Sequence, residues 1–398
     1  MKRILTNKIS DMALFIICIT ILSFMGLKIM PLTLTVINYI YIGFPLLILS
    51  FFLYKKEYQF GKIIILINFF LLVNSIGCLI NRNQSLWSSY TGTEMRNFMM
   101  LNAYFIFISS SISVKKLEKC LYYLSIFFCM IYIIQFLVYP TEICYGASSE
   151  FMKSNVIRIR LWGQSLAIIA FLMGLNKALE YKNFKYYLQC FLGLIVILLL
   201  GFRSQLLVLI ATTFILLFRK YKLSFRFFFV LAIVCIFFSY AVLQIPFISN
   251  SVSEMIARSE EGQSFANDNY IRTICFDYYT NIFFVNTWES IMGAGNPGTS
   301  GNYSIFIDKL KNDYGFVYGD WGLIGLSWIV GIPVVLLILL YCMKAFFIKV
   351  ENKYIYLACY FIFIVFASIF SREIYRYGNF FIQALILAIL EKTLIYKK

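Results

Sequence analysis

Histidine is absent from this chain of 398 residues. That removes the side chain that most often serves as general base near neutral pH and is the commonest zinc ligand. Acids are scarce too, 19 Asp and Glu against 35 Lys and Arg. Only 14% of the residues are charged. The ten cysteines include no CxxC pair, so neither a zinc knuckle nor a dithiol redox motif can be built from them. Packing is their default role. No internal repeat stands out, and no small-x-small cleavage motif follows the apolar N-terminal segment, which reads as a retained first helix.

Apolar sequence fills the space these absences leave. Hydrophobic residues make up 61% of the chain, aromatics 19%, and the mean hydropathy is +0.80. Apolar runs of membrane-crossing length recur along nearly the whole chain, separated by short charged clusters. A hydrocarbon core about 30 Å thick takes about 20 helical residues to cross. The expected fold is an all-α polytopic integral membrane protein with about 12 transmembrane helices and one large extracytoplasmic loop. The spans fall at 12–27, 34–53, 63–80, 98–113, 119–139, 161–176, 187–202, 204–218, 227–245, 322–343, 354–371 and 377–391. Residues 1–245 would hold nine of them, 246–321 the large loop with short amphipathic helices, and 322–398 the last three.

The net charge of +16 does not point to nucleic acid, because the basic residues lie in short clusters between spans. With both termini cytoplasmic, 22 of the 35 basic residues fall inside, and every inside segment holds some. Residue type divides the same way, with 19 Lys and 3 Arg inside and 4 Lys and 9 Arg outside. Lysine suffices as a topology charge, whereas the planar guanidinium fork suits bidentate recognition of phosphate or carboxylate. The outer face therefore reads as built for an anion, with Arg158, Arg160, Arg203, Arg272 and Arg376 as candidate ligands. For Arg82, Arg96 and Arg258 the preferred reading is snorkelling or pairing with an outer acid.

The stretch LLLGFRSQLLVLIATT (198–213) places Arg203 at the tip of a hairpin, because the lysine clusters on either side both belong inside. A cation there opposes the positive end of the helix that follows, and no acid lies within 20 residues in sequence. A phosphate at the tip would remove both costs, meeting the guanidinium together with free backbone amides.

In the large loop, SVSE (251–254) reads as a capping box, and residues 271–282 as an amphipathic helix with Ile271, Ile274, Cys275, Tyr278, Tyr279 and Ile282 on one stripe. GAGNPGTSG (293–301) contains G-x-G-x-x-G without the strand and helix of a dinucleotide site. It reads as a flexible turn, with an anion-binding nest as the alternative. Without histidine, any general base is a carboxylate. Asp313 and Asp320 are the catalytic candidates because they lie just before a membrane span, level with a lipid head group. Cys144 and Cys275 are the two thiols in large outer segments and so the only candidate disulfide.

The arginine tip GFRSQLLVL, the loop stretch RSEEGQSFANDNYIR, then WESIMGAGNPG and NDYGFVYGDWGLIGLSWIVG resemble the O-antigen and capsular polysaccharide polymerases of bacteria and, more distantly, the O-antigen ligases. The likeness covers roughly residues 190–340 in pattern and the remainder in topology. It implies a glycosyltransferase in the bacterial cytoplasmic membrane. Such an enzyme joins undecaprenyl-diphosphate-linked repeat units on the outer face, with no metal and no cofactor, near a flippase and a chain-length regulator. The resemblance also implies that Arg203 and Arg272 hold the diphosphate. Where ligases carry a histidine near the end of the loop, this chain has Lys311, Asn312 and Asp313, which favours the polymerases and leaves the base open. A flippase or other multi-spanning transporter is the alternative, and a histidine-dependent acyltransferase is disfavoured.

Overall fold

The computed structural model describes residues 26–28, 32–145, 159–221, 271–369 and 371–395 together with Leu14 and Cys18; the side chains of 32–40 and of Arg203 lie outside that description. Among the described residues the regular elements are helices, apart from one isolated bridge between Leu27 and Cys144. In chain order they are α1 (Leu32–Leu53), α2 (Gly61–Arg82), α3 (Leu86–Thr91), α4 (Thr93–Met100), α5 (Ala103–Ser109), α6 (Val114–Val138), α7 (Ser165–Tyr181), α8 (Phe184–Leu200) and α9 (Arg203–Tyr221). After the undescribed stretch come α10 (Ile271–Asn281), α11 (Thr287–Met292), α12 (Asn302–Asp313), α13 (Gly322–Val330), α14 (Ile332–Phe347), α15 (Ile355–Ala367) and α16 (Asn379–Ile395).

Three helices are long and apolar enough to cross a membrane: α2, α6, and α9 over Ser204–Tyr221. Shorter apolar helices accompany them at Tyr41–Leu53, Phe184–Leu200, Ile332–Phe347 and Asn352–Ala367. The periphery of the bundle is apolar: Phe52 is 81% exposed, Ile80 75% and Phe184 78%. A surface of that kind suits hydrocarbon and not water. At the centre, α15 and α16 are buried on almost every side, as helices that are apolar all round must be.

Two expected spans are interrupted. The run 98–113 is not one helix, because α4 ends at Met100 and α5 begins at Ala103. The run 322–343 breaks at Gly331, whose φ of +94° separates α13 from α14. Spans 227–245 and most of 12–27 lie outside the described residues, as does the SVSE capping box.

The hairpin α7–α8 is close-packed. A Cβ on Gly174 would lie 2.5 Å from the Cys190 amide nitrogen and one on Gly193 2.6 Å from that of Phe171, so the two backbones approach only because both residues are glycine.

Polar contacts gather at the two ends of the bundle and differ in kind. At one end lysines bind glutamates and helix-end carbonyls. Lys177 pairs with Glu118 at 2.7 Å, Lys220 donates to the Asn176 carbonyl at 2.6 Å, and Lys392 donates to that of Ser110 at 2.7 Å. Glu391 accepts from the Gln59 amide at 2.6 Å, receiving the start of α2. Arginines dominate the opposite end. Arg82 gives Nε and Nη2 to Glu289 at 2.9 and 2.5 Å, with Nη2 also on the Phe283 carbonyl at 2.7 Å, so pairing with an acid, as expected from sequence, is its role.

Candidate anion-binding site

Three short segments converge at the arginine end. The first is 159–164, leading into α7. Gly163 there has a φ of +75° and its N–H donates to the Tyr377 carbonyl at 2.9 Å. Trp162 stacks on the Tyr377 ring, centroids 4.7 Å apart and planes 14° apart. Those contacts dock the first segment onto the second, 372–378, between α15 and α16.

The third segment is the tip between α8 and α9. Gly201, with φ +65°, ends α8, Phe202 follows, and Arg203 is the first residue of α9. The Phe202 ring is the meeting point. The Arg160 guanidinium carbon lies 5.5 Å from its centroid and that of Arg376 5.4 Å. Two expected anion ligands from distant parts of the sequence thus meet on the residue that precedes the third. The side chain of Arg203 and all of Arg158 lie outside the described residues.

Glu373 is the acid that the described residues bring to Arg376 in this cluster. Glu373 is 1% exposed; its Oε2 is 3.5 Å from Arg376 Nη1 and accepts from Gln205 Nε2 at 2.8 Å. Arg376 also donates to Gln164 Oε1. The tip has no acid near it in sequence, and Glu373 reaches it from between α15 and α16.

Arg272 belongs to a neighbouring group. Its Nε lies 3.7 Å from Asp320 Oδ2, and its carbonyl accepts from Trp321 Nε1 at 3.1 Å. Nearby, Tyr318 donates to buried Glu94 at 2.6 Å. Gly319 makes room for Arg372, since a Cβ there would lie 2.2 Å from Arg372 Nε. Burial works against the Arg372 charge, and Tyr375, Tyr318, Glu94 and Asp320 outweigh it, holding the guanidinium above its ordinary range. Asp313 is exposed at the end of α12 and makes no hydrogen bond or ion pair with the described residues. The two catalytic candidates are therefore unlike: Asp320 lies among charged groups, and Asp313 stands apart from them.

Helix α4 contributes two residues that sequence reasoning missed or misjudged. Glu94 escaped notice because the span was begun at 98. Arg96 is buried and pairs with no acid among the described residues. It is 4% exposed, and Nη2 donates to Thr93 Oγ1 at 3.1 Å and to Tyr377 Oη at 2.8 Å.

The glycine-rich stretch is a packed plug and not a flexible turn. Residues 293–297 are buried, and the Ala294 and Gly295 amides donate to the Trp328 and Ile329 carbonyls, both at 2.9 Å. Gln84 Nε2 holds the Pro297 and Ser300 carbonyls, each at 2.8 Å. Two of the amides a nest would need are thus already engaged. Cys144 and Cys275 are both buried free thiols, so the candidate disulfide is not formed. On α10 the buried positions are Cys275 and Tyr279, while Ile271, Ile274 and Ile282 face outward.

No protein-family model matches the chain, and neither a curated protein nor a solved structure does. Two guanidinium groups against one aromatic ring, one of them beside a buried acid, form a cationic, partly dry surface. Such a surface stabilises negative charge that develops on a bound group.

Proposed function

We propose that this chain is a polysaccharide polymerase, a glycosyltransferase that joins undecaprenyl-diphosphate-linked oligosaccharide repeat units at the outer face of the bacterial cytoplasmic membrane. The observation that carries this reading is the convergence of Arg160 and Arg376 on Phe202, beside Arg203, at the arginine-bearing end of an apolar bundle. A diphosphate at the level of the lipid head groups is the anion such a site would meet.

In the proposed reaction an acceptor hydroxyl of one lipid-linked unit attacks the anomeric carbon of another. The new carbon–oxygen bond forms as the bond from that carbon to the diphosphate oxygen breaks, and the leaving lipid diphosphate takes the bonding electron pair. Arg160, Arg203 and Arg376 offset the charge that develops on it. The hydroxyl proton passes to a carboxylate, and Asp320, held beside Arg272, is the better placed of the two candidates. The activation is carried by the lipid-linked donor, so no nucleotide is needed.

The test is the glycan ladder from cells lacking the native gene, complemented with wild type, Arg203→Ala or Arg376→Ala at equal membrane abundance. Long chains from wild type and single repeat units from both variants are the expected result. Normal ladders from both variants would overturn the site assignment. A wild type that alters export of repeat units without joining them would favour a flippase.

A further inference from the structure

The Arg96 guanidinium carbon lies 6.0 Å from the centroid of the Tyr377 ring and Gln164 accepts from Arg376; both hold donors that no described residue accepts. The Arg96 guanidinium uses Nη2 on Thr93 and Tyr377, while Nε and Nη1 are buried and unbonded. Gln164 is 1% exposed; its Oε1 accepts from Arg376, which fixes the amide orientation and leaves Nε2 buried without an acceptor. Asn97 Oδ1, one residue along α4, is an open acceptor but is not bonded to the guanidinium.

Three other cations of this fold have an acid, whereas buried Lys392 has the carbonyls of Ser110 and Ile112 instead. Arg82 has Glu289, Lys177 has Glu118, and Arg376 has Glu373. Glu94, two residues from Arg96, makes no ion pair with it and receives the Tyr318 hydroxyl instead. A buried guanidinium with two unpaired nitrogens is among the more costly arrangements a protein can hold. Three donor nitrogens, two on Arg96 and one on Gln164, lack an acceptor among the described residues.

We infer that Arg96 and Gln164 form an anion seat that takes a phosphoryl oxygen, continuous through Tyr377 and Arg376 with the arginine cluster on Phe202. The seat rests on the proposed function only for the source of the phosphate, a lipid diphosphate and not free pyrophosphate. It adds a contact from α4, an element that sequence reasoning placed outside the site. Arg96 Nη1 carries two open N–H groups for a phosphate oxygen, and the Nε–H, which points to the Nη2 side, is a separate open donor. Gln164 Nε2 adds a further open donor beside Arg376.

The experiment uses the full chain purified in lipid nanodiscs, with thermal unfolding followed in the absence of ligand, with inorganic pyrophosphate, and with undecaprenyl diphosphate. Wild type is expected to be stabilised by the lipid diphosphate at micromolar concentration and by pyrophosphate only at far higher concentration. Arg96→Gln is expected to match or exceed wild type in stability without ligand, because it removes an uncompensated charge. It should also weaken lipid-diphosphate binding at least tenfold. Gln164→Glu keeps the acceptor for Arg376 while replacing the open donor with a negative charge, and should lose binding with the fold intact. An Arg96→Gln protein that is less stable without ligand yet binds like wild type would overturn the seat, as would one unchanged in both respects. Equal response to pyrophosphate and lipid diphosphate would assign the seat to free phosphate. If Arg96-dependent binding holds while wild type itself fails to restore long chains in cells lacking the native gene, the seat stands and the polymerase reading falls.

Discussion

The Gln205 side-chain amide donates to Glu373 Oε2 at 2.8 Å, across 168 positions of sequence. Through this bond the first turn of α9 is fixed to the acid that also holds Arg376. Glu373→Gln keeps the shape and removes the charge, leaving Arg376 buried beside a neutral amide. The expected loss is about 1–3 kcal/mol of stability. Thermal unfolding of the purified variant measures it, and Gln205→Leu, which removes only the neutral donor, should cost less.

Asp320 and Asp313 make a matched pair for testing the base. Asp320→Asn is expected to lower chain joining by about 10²–10⁴-fold, the range for loss of a positioned proton acceptor. Asp313→Asn should leave the ladder as in wild type. Rates of repeat-unit consumption with purified lipid-linked substrate distinguish them; the reverse ranking would move the base to the end of α12.

Gly295 has a φ of +93°, and a Cβ there would lie 2.2 Å from Cys78 Cβ. Gly295→Ala therefore meets both backbone strain and a collision with α2. The expected destabilisation is about 2–4 kcal/mol, at the upper end of single substitutions. Pairing it with Cys78→Gly should recover part of the loss, since the collision disappears and the strain stays.

An alkaline limit to stability is expected from two buried outer thiols. Burial, reinforced by the Asp320 charge, pushes Cys275 from 9.0 up to about 12, and burial pushes Cys144 from 9.0 up to about 11. Above pH 9 the unfolded chain loses these protons while the folded chain retains them, so folding weakens as pH rises toward 11 and 12. Melting temperatures from pH 7 to pH 11 should fall above about pH 9, the unperturbed thiol value. Cys275→Ser should flatten part of that fall.

Helix α2 and the α8–α9 hairpin were legible because each is an apolar run bounded by charge or glycine, whereas α6 begins five residues before the expected span and takes Lys115, Lys116 and Glu118 into its first turns. Helices α4 and α5 were not, since MRNFMMLNAYFIFISS reads as continuous hydrophobicity with a polar start, and only the packing shows where it turns. That Arg160 and Arg376 fall at the same end as the tip of α9 could be anticipated from where the arginines cluster in the sequence, but not that the two meet on Phe202. Sequence also gave no hint that Glu373 serves the tip or that Glu94 is buried against Tyr318. Those partners are set by tertiary packing, and no local pattern encodes a contact between α4 and the segment before α16. The GAGNPGTSG stretch misled in the opposite direction. Its glycines suggested freedom, and in the fold they permit close approach to α2, α13 and α14.

Polar partners of α2, of the turn after it and of α5 are supplied late. Asn74 waits for the carbonyls of Met292 and Ile329, Arg82 for Glu289, Gln84 for Pro297, and Tyr104 for Glu391. A ribosome has more than 200 further residues to make after Arg82 before Glu289 exists. During that interval the early helices reside in the bilayer with their hydrogen-bonding groups open. Biogenesis of this chain is thus completed from its far end: a stop codon just before Glu391 would orphan residues made near the beginning. The early helices would then present polar faces to lipid, the kind of signal by which membrane quality control recognises an unassembled chain.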